Sequence, residues 1–227
     1  MQPSKQQQIK QQQQLVYPNV VATFEQQKRL FFVDESMYTT RLYEQKVWCR
    51  RGSTPYIRGQ KQIGFRAIAL IAAIDRNGAV VEAQLEDSSI RKEHFVAFLD
   101  KLKHHEEDTY VFLDNLSVHR SKVVKDFAAA NRIKLIFNAA YSSEYNPIER
   151  LFAVCKRKFR KLLLQSPEVK TQNVIRRLVR QSVTDLDCHA IKSHVNSCIA
   201  LMKQVGCSPD LLLFNGGIKE EGRLDEV

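Results

Sequence analysis

The chain has 227 residues, 44% of them hydrophobic, enough to bury a real core in one domain with or without an appendage. Lys and Arg number 35 against 25 Asp and Glu, and the resulting +10 charge favours a polyanionic partner such as nucleic acid or an anionic membrane surface, although a merely basic soluble protein has the same balance. No stretch has the apolar length to span a bilayer, the first residues lack signal-peptide order, and five cysteines without framework spacing fit a reducing compartment, so membrane and secreted roles are not expected.

Residues 1–14 are dominated by Gln. A polar tract of this kind buries little, so residues 1–28 are expected to form a disordered Gln-rich tail, a hint of a eukaryotic source. Leu30 to Val33 is a short apolar run that ends at Asp34 and reads as a buried strand. Residues 65–75 make a second strand, Asn77-Gly78 a hairpin turn, and Ala79 to Leu85 a third strand. Phe95, Phe98, Leu99 and Leu102 recur at helical spacing, so Lys92 to Lys103 is predicted as an amphipathic helix. Tyr110 to Leu113 is a fourth strand, ending at Asp114; residues 120–131 read as helix, and Ile133 to Phe137 as a fifth strand.

Asn146-Pro147 then opens a long helix, with Asn as N-cap and Pro at the first helical position. Ile148, Leu151, Phe152, Cys155, Phe159 and Leu162 share one face of it. This order predicts an α/β fold: a mixed five-stranded sheet with helices packed on it, over residues 29–165. Residues 166–227 read as a helical C-terminal extension.

Asp34 and Asp114 both follow apolar strands. If those strands are parallel neighbours, the two side chains meet at the strand ends, where α/β sheets place their sites. Glu149, in the first turn of the long helix, can lean over the same edge. Three converging carboxylates repel unless cations lie between them, and Mg²⁺ suits oxygen ligands. Each residue also has a plain explanation. Asp34 can end a strand, Asp114-Asn115 can form a turn, and Asn146 to Glu149 fits a capping box. Their joint placement carries the functional reading.

The segments Phe32 to Ser36 (FVDES), Phe112 to Ser121 (FLDNLSVHRS) and Tyr141 to Phe152 (YSSEYNPIERLF) resemble the signature blocks of mariner-type DDE transposases, a superfamily with a bacterial insertion-sequence branch. The 34 residues between Asp114 and Glu149 match a hallmark interval of that superfamily. Val47 to Gly52 (VWCRRG) resembles its Trp-x-x-x-Gly element. The resemblance implies an RNase H-like fold and a metal-binding catalytic triad of Asp34, Asp114 and Glu149. It implies two Mg²⁺ or Mn²⁺ ions, bridged by Asp34 and each held on one side by Asp114 or Glu149. The implied activity is DNA phosphodiester cleavage followed by strand transfer, as in transposition and integration. Double-stranded DNA would be the partner, as transposon ends and target. Family members usually carry paired helical DNA-binding modules ahead of this domain. Here the Gln-rich stretch stands instead, so end recognition is expected to involve a homodimer or a partner chain. The expected location is the nucleus in a eukaryote and the cytoplasm otherwise.

His119 and Asn115 are candidates to support Asp114, His119 also as a phosphate contact; a helix-start His and a turn Asn are the plain alternatives. Glu35 is expected to point away from Asp34. Lys156, Arg157, Lys158, Arg160 and Lys161 crowd the polar side of the Glu149 helix, where Lys156, Arg157 and Arg160 are read as DNA contacts. Arg50 and Arg51, beside Trp48, are read the same way, and Arg176, Arg177 and Arg180 form a weaker patch. Cys188, His194, Cys198 and Cys207 contain one helical i, i+4 ligand pair but no Cys-x-x-Cys knuckle, which disfavours zinc. Two further readings stay open: a transposase-derived DNA-binding protein without catalysis, and another RNase H-like nuclease.

Overall fold

A computed structural model describes residues 4–40, 50–53, 67–166, 171–184 and 186–206. In chain order the elements are α1 (Lys5–Glu25), β1 (Arg29–Thr39), β2 (Ala67–Ile74), β3 (Val80–Glu86), α2 (Lys92–Leu102), β4 (Thr109–Leu113), α3 (Lys122–Ala130), β5 (Ile133–Phe137), a 3-10 turn (Ser143–Tyr145), α4 (Ile148–Gln165), α5 (Gln172–Val183) and α6 (Cys188–Gly206). No described helix is long and apolar enough to cross a membrane.

The sheet has five strands in the order β3-β2-β1-β4-β5. β1 to β3 form an antiparallel meander, and β4 and β5 add in parallel on the other side of β1. The central strands are apolar on both faces because both faces are covered. Leu30, Phe32, Leu70, Ala72 and Phe112 point into one cluster with Tyr17, Val20, Ile148, Phe152, Ile175 and Val195, so that face carries α1, α4, α5 and α6. Phe31, Val33, Ile71, Val111 and Leu113 point the other way, against Phe95, Phe98 and Leu99 of α2 and Val124 of α3. The mixed sheet flanked by helices is the architecture expected from the strand and helix order.

Three local expectations are corrected. First, Lys5–Glu25 is a helix and not a disordered tail. Ser4 caps it, its side chain accepting from the Gln7 amide while the Gln7 side chain accepts from the Ser4 amide. Gln is a good helix former, and the tract runs on into Tyr17, Val20 and Val21, which are buried in the core and anchor it. Second, β1 does not stop at Asp34. It continues to Thr39 because β2 pairs with it throughout, Asp34 facing Ala72. Only the parallel pairing with β4 stops short, at Phe32 and Phe112. Third, Asn146 does not cap α4. The cap position falls on Pro147 without a side-chain hydrogen bond. The Asn146 side chain is buried, and neither of its polar atoms has a partner among the described residues. The inner face of α4 ends on Leu163, with Leu162 only partly buried.

The hairpin turn at Asn77-Gly78 forms as expected. Asp75 Oδ1 accepts from the amides of Asn77 (2.8 Å) and Ala79 (2.9 Å), and Gly78 adopts φ 75°.

Candidate active site

Asp34 has the same strand parity as Leu30 and Phe32, which places it on the α4 face of the sheet. Asp114 is the first residue after β4, on the parallel neighbour of β1. Glu149 is in the first turn of α4. Asp34 and Asp114 are half-buried and Glu149 is exposed. Burial is the main cause that pushes the Asp34 carboxyl up to about 7, opposed by the hydrogen bond it accepts from the Glu35 amide (2.7 Å). The negative charges of Asp114 and Glu149 push it further the same way. The two carboxylates therefore act on Asp34 electrostatically. Among the described residues, however, no three His, Cys, Asp or Glu side chains close into a ready cage for a metal ion.

His119 lies in the turn ahead of α3, and its side chain is 0% exposed. Its ring packs on Phe95 with centroids 4.2 Å apart. Nδ1 lies 2.7 Å from Asp114 Oδ1 and Nε2 lies 3.1 Å from Glu35 Oε1. Burial alone would lower the pKa of this imidazole, but its two carboxylate partners outweigh burial and bring it up to about 9. At neutral pH both ring N–H groups then donate, and the ring is a rigid cationic link between the carboxylates. Asp114 Oδ1 also accepts from the Leu116 amide (3.2 Å). The described hydrogen bonds of Asp34 and Asp114 thus fall on Oδ1 of each.

Glu35 was not singled out from the sequence for any role at this site. Strand alternation puts it on the face opposite Asp34, and that is the face from which His119 approaches. The signal was present: an acidic residue next to Asp34, and a His five positions after Asp114. Only the fold brings them together. Asn115 does not touch Asp114 through its side chain. Its Nδ2 donates to the Asn138 carbonyl (2.7 Å), tying the loop after β4 to the loop after β5.

The basic residues fall into different settings. Arg157 and Arg160 are exposed on α4, and Lys156 is half-buried. Lys158 donates to the Thr184 carbonyl and so fastens α4 to the end of α5. Arg176 donates to the Leu85 carbonyl (3.1 Å) and pairs with Asp87 (2.7 Å), which makes it part of the packing of α5 on β3. Arg50 and Arg51 are exposed, and Trp48 lies outside the described residues. Cys198 Sγ is 3.6 Å from His194 Nε2 and also contacts the Glu144 carbonyl, while Cys188 is exposed and Cys207 lies outside the described residues.

Comparison with known proteins places this arrangement. A search of curated proteins returns no match. Among solved structures, the chain is similar to the catalytic domain of Mos1 mariner transposase, with a TM-score of 0.61 at 12% identity over 92% of this chain and 96% of that one. It is similar to the Mos1 strand transfer complex (TM-score 0.66, 13% identity, 92% of this chain) and to the Mos1 paired end complex with Mn (TM-score 0.67, 13% identity, 92% of this chain). The chain spans 63% and 64% of the transposase chains in those two complexes. At this identity the likeness establishes the fold, the RNase H-like sheet of the Mos1 catalytic domain. The family model for DDE superfamily endonucleases matches residues 29–170, from the start of β1 to beyond the end of α4, and so the chain belongs to the DDE superfamily endonucleases.

Proposed function

We propose that this chain is the catalytic part of a transposase, cutting DNA phosphodiesters at element ends and joining the freed strand to target DNA. The observation that supports this most is the half-buried Asp34 carboxyl, pushed up to about 7 in company with Asp114 and Glu149. The His119 cation opposes the rise only as the last of its causes, so a half-buried acid beside two like charges is still short of positive charge, and its natural partner is a cation. The donor set fits a hard divalent cation, since all three groups offer only oxygen. Asp34, Asp114 and Glu149 would hold it. Structures of Mos1 transposase with Mn and with Mg accord with this choice. We infer two ions, held by these three carboxylates.

When bound, the ions would activate the attacking oxygen and neutralise the leaving one. The chain's own residues do the rest. His119, locked by Glu35 and packed against Phe95, holds the Asp114 carboxylate in one orientation. The Asn115–Asn138 bond fixes the spacing of the loops that carry Asp114 and lead to Glu149. Arg157 and Arg160 would grip DNA phosphates beside the site, with Lys156, Arg50 and Arg51 as further contacts. Mos1 transposase is known in paired end and strand transfer complexes, and by analogy we propose that a second copy or a partner chain brings the ends together.

The test is Asp114→Asn with Mg²⁺ or Mn²⁺ and a pre-nicked DNA end. Nicking and joining should fall below detection, at least about a hundredfold, while DNA binding stays within about twofold. Metal-dependent nicking that survives the substitution would remove Asp114 from the mechanism. Digestion of RNA–DNA hybrids without strand joining would point to a different RNase H-like nuclease.

A further inference from the structure

The loop between β5 and α4 presents an aromatic ring that the catalytic reading does not use. Tyr141 is 78% exposed and sits at φ 53°. A bulky side chain in the left-handed region is strained, and no burial of its ring offsets that strain. The conformation persists because both neighbours are pinned. The Ala140 amide donates to Gln12 Oε1 of α1 (3.2 Å). Ser142 Oγ donates to the Ala140 carbonyl (3.1 Å) and accepts from Gln13 Nε2 (2.9 Å). The Ser142 carbonyl accepts from Asn138 Nδ2 (2.7 Å), and Asn138 Oδ1 accepts from the buried Tyr17 hydroxyl (3.0 Å). The same Asn138 donates its amide to the Leu113 carbonyl (2.7 Å), one residue before Asp114. The loop therefore starts beside Asp114, ends at Glu149, and is forced to turn Tyr141 outward between them. Lys5 Nζ lies 4.2 Å from the centre of the Tyr141 ring, leaving most of the ring in solvent.

We propose that Tyr141, backed by Lys5, is a stacking platform for the last base of a DNA strand end held in the active site. The inference rests on the transposase reading above. An exposed aromatic ring paired with a cation is how proteins hold nucleic-acid bases without reading sequence. Inside an intact duplex both faces of each base are covered by neighbours, whereas cleavage leaves a terminal base with one free face. The strained loop runs from beside Asp114 to the helix of Glu149 with its ring turned outward, and Lys5 would add positive charge for the adjoining phosphate. Helix α1 is thereby a clamp that holds the ring in place through Gln12, Gln13 and Tyr17.

The test uses the full chain carrying Asp114→Asn, so that bound DNA is not cut. Duplexes carry 2-aminopurine either at the 3′ terminus or in the interior. With Tyr141 or Tyr141→Phe, the terminal probe should be quenched on binding and the interior probe should not. Tyr141→Ala should abolish that quench and weaken binding of an open-ended duplex about tenfold, with binding of a hairpin-closed duplex unchanged. Tyr141→Gly, which suits φ 53°, should lose the quench equally while its Tm holds or rises, which separates binding from folding. Unchanged quenching and affinity in the Ala and Gly variants would overturn the platform, and the transposase reading would survive if the wild-type chain still nicks DNA with metal. Failure of the Asp114→Asn chain to bind DNA, together with no metal-dependent nicking by the wild type, would overturn both.

Discussion

A single carboxyl decides how this site behaves without metal. The folded Asp34 carboxyl is pushed up to about 7, while an unfolded Asp titrates near its ordinary value of 3.8. Its folded pKa is raised, so the folded state binds the extra proton between these values and stability falls as pH rises through that window. The penalty is complete above the folded pKa. Asp34→Asn should therefore raise the Tm of metal-free protein by a few degrees at pH 8 and leave it nearly unchanged at pH 4. Mg²⁺ should raise the Tm of the wild type at pH 8 and do so much less in the variant. Thermal melts across pH with EDTA or Mg²⁺ check both, and an Asn variant that melts lower than wild type at pH 8 would show that the ionised carboxylate is already well satisfied by the protein. On the proposed reading, function and stability pull in opposite directions at this residue.

At the scale of elements, the helices outside the sheet act through the turns they touch. The β2–β3 turn is one case. A Cβ on Gly78 would lie 2.6 Å from the Lys192 amide nitrogen and 2.9 Å from the Ile191 carbonyl carbon, both on α6. Gly78 also needs φ 75°. Gly78→Ala thus meets a backbone clash and an unfavourable dihedral together, and should cost about 2 kcal/mol or more. Urea unfolding measures this, and a loss under about 0.5 kcal/mol would mean that α6 can shift away from the hairpin without cost. The same glycine that permits the hairpin lets the C-terminal helix dock on it. At the other end of α6, Gly206 approaches Pro18 of α1, and Lys203 pairs with Glu25. Helices from the two ends of the described chain therefore close over one face of the sheet.

Across the whole molecule, the +10 charge is distributed unevenly in its roles. Arg176 and Lys158 are engaged in packing contacts, whereas Arg157 and Arg160 face solvent on the helix that carries Glu149. Replacing Arg157 or Arg160 with Ala should weaken DNA binding similarly on unrelated sequences and reduce the slope of log affinity against log salt by about one each. Binding isotherms at several salt concentrations would show this, and an unchanged slope would place the DNA path elsewhere. Arg176→Ala should instead lower Tm, since it breaks the bonds to Leu85 and Asp87.

Much of this protein is written in runs of neighbouring residues. The strand at Ile133–Phe137, the helix face of Phe95, Phe98, Leu99 and Leu102, and the Asn77-Gly78 turn follow from periodicity and turn chemistry, which depend on residues close in sequence. Asp34, Asp114 and Glu149 could be singled out because each stands beside a legible element and because of the interval between the last two. Other features depend on contacts between distant positions, which no local pattern encodes. β1 runs past Asp34 because β2 is there to pair with it. Residues 5–25 fold because Tyr17, Val20 and Val21 meet a core built by later elements, so a Gln count alone misjudges them. Glu35 reaches Asp114 only through His119, 84 positions away, and Gln13 pins Ser142 from 129 positions away. Short-range order fixed the parts and the candidate carboxylates; what holds those carboxylates in place was decided only when packing closed the long loops between them.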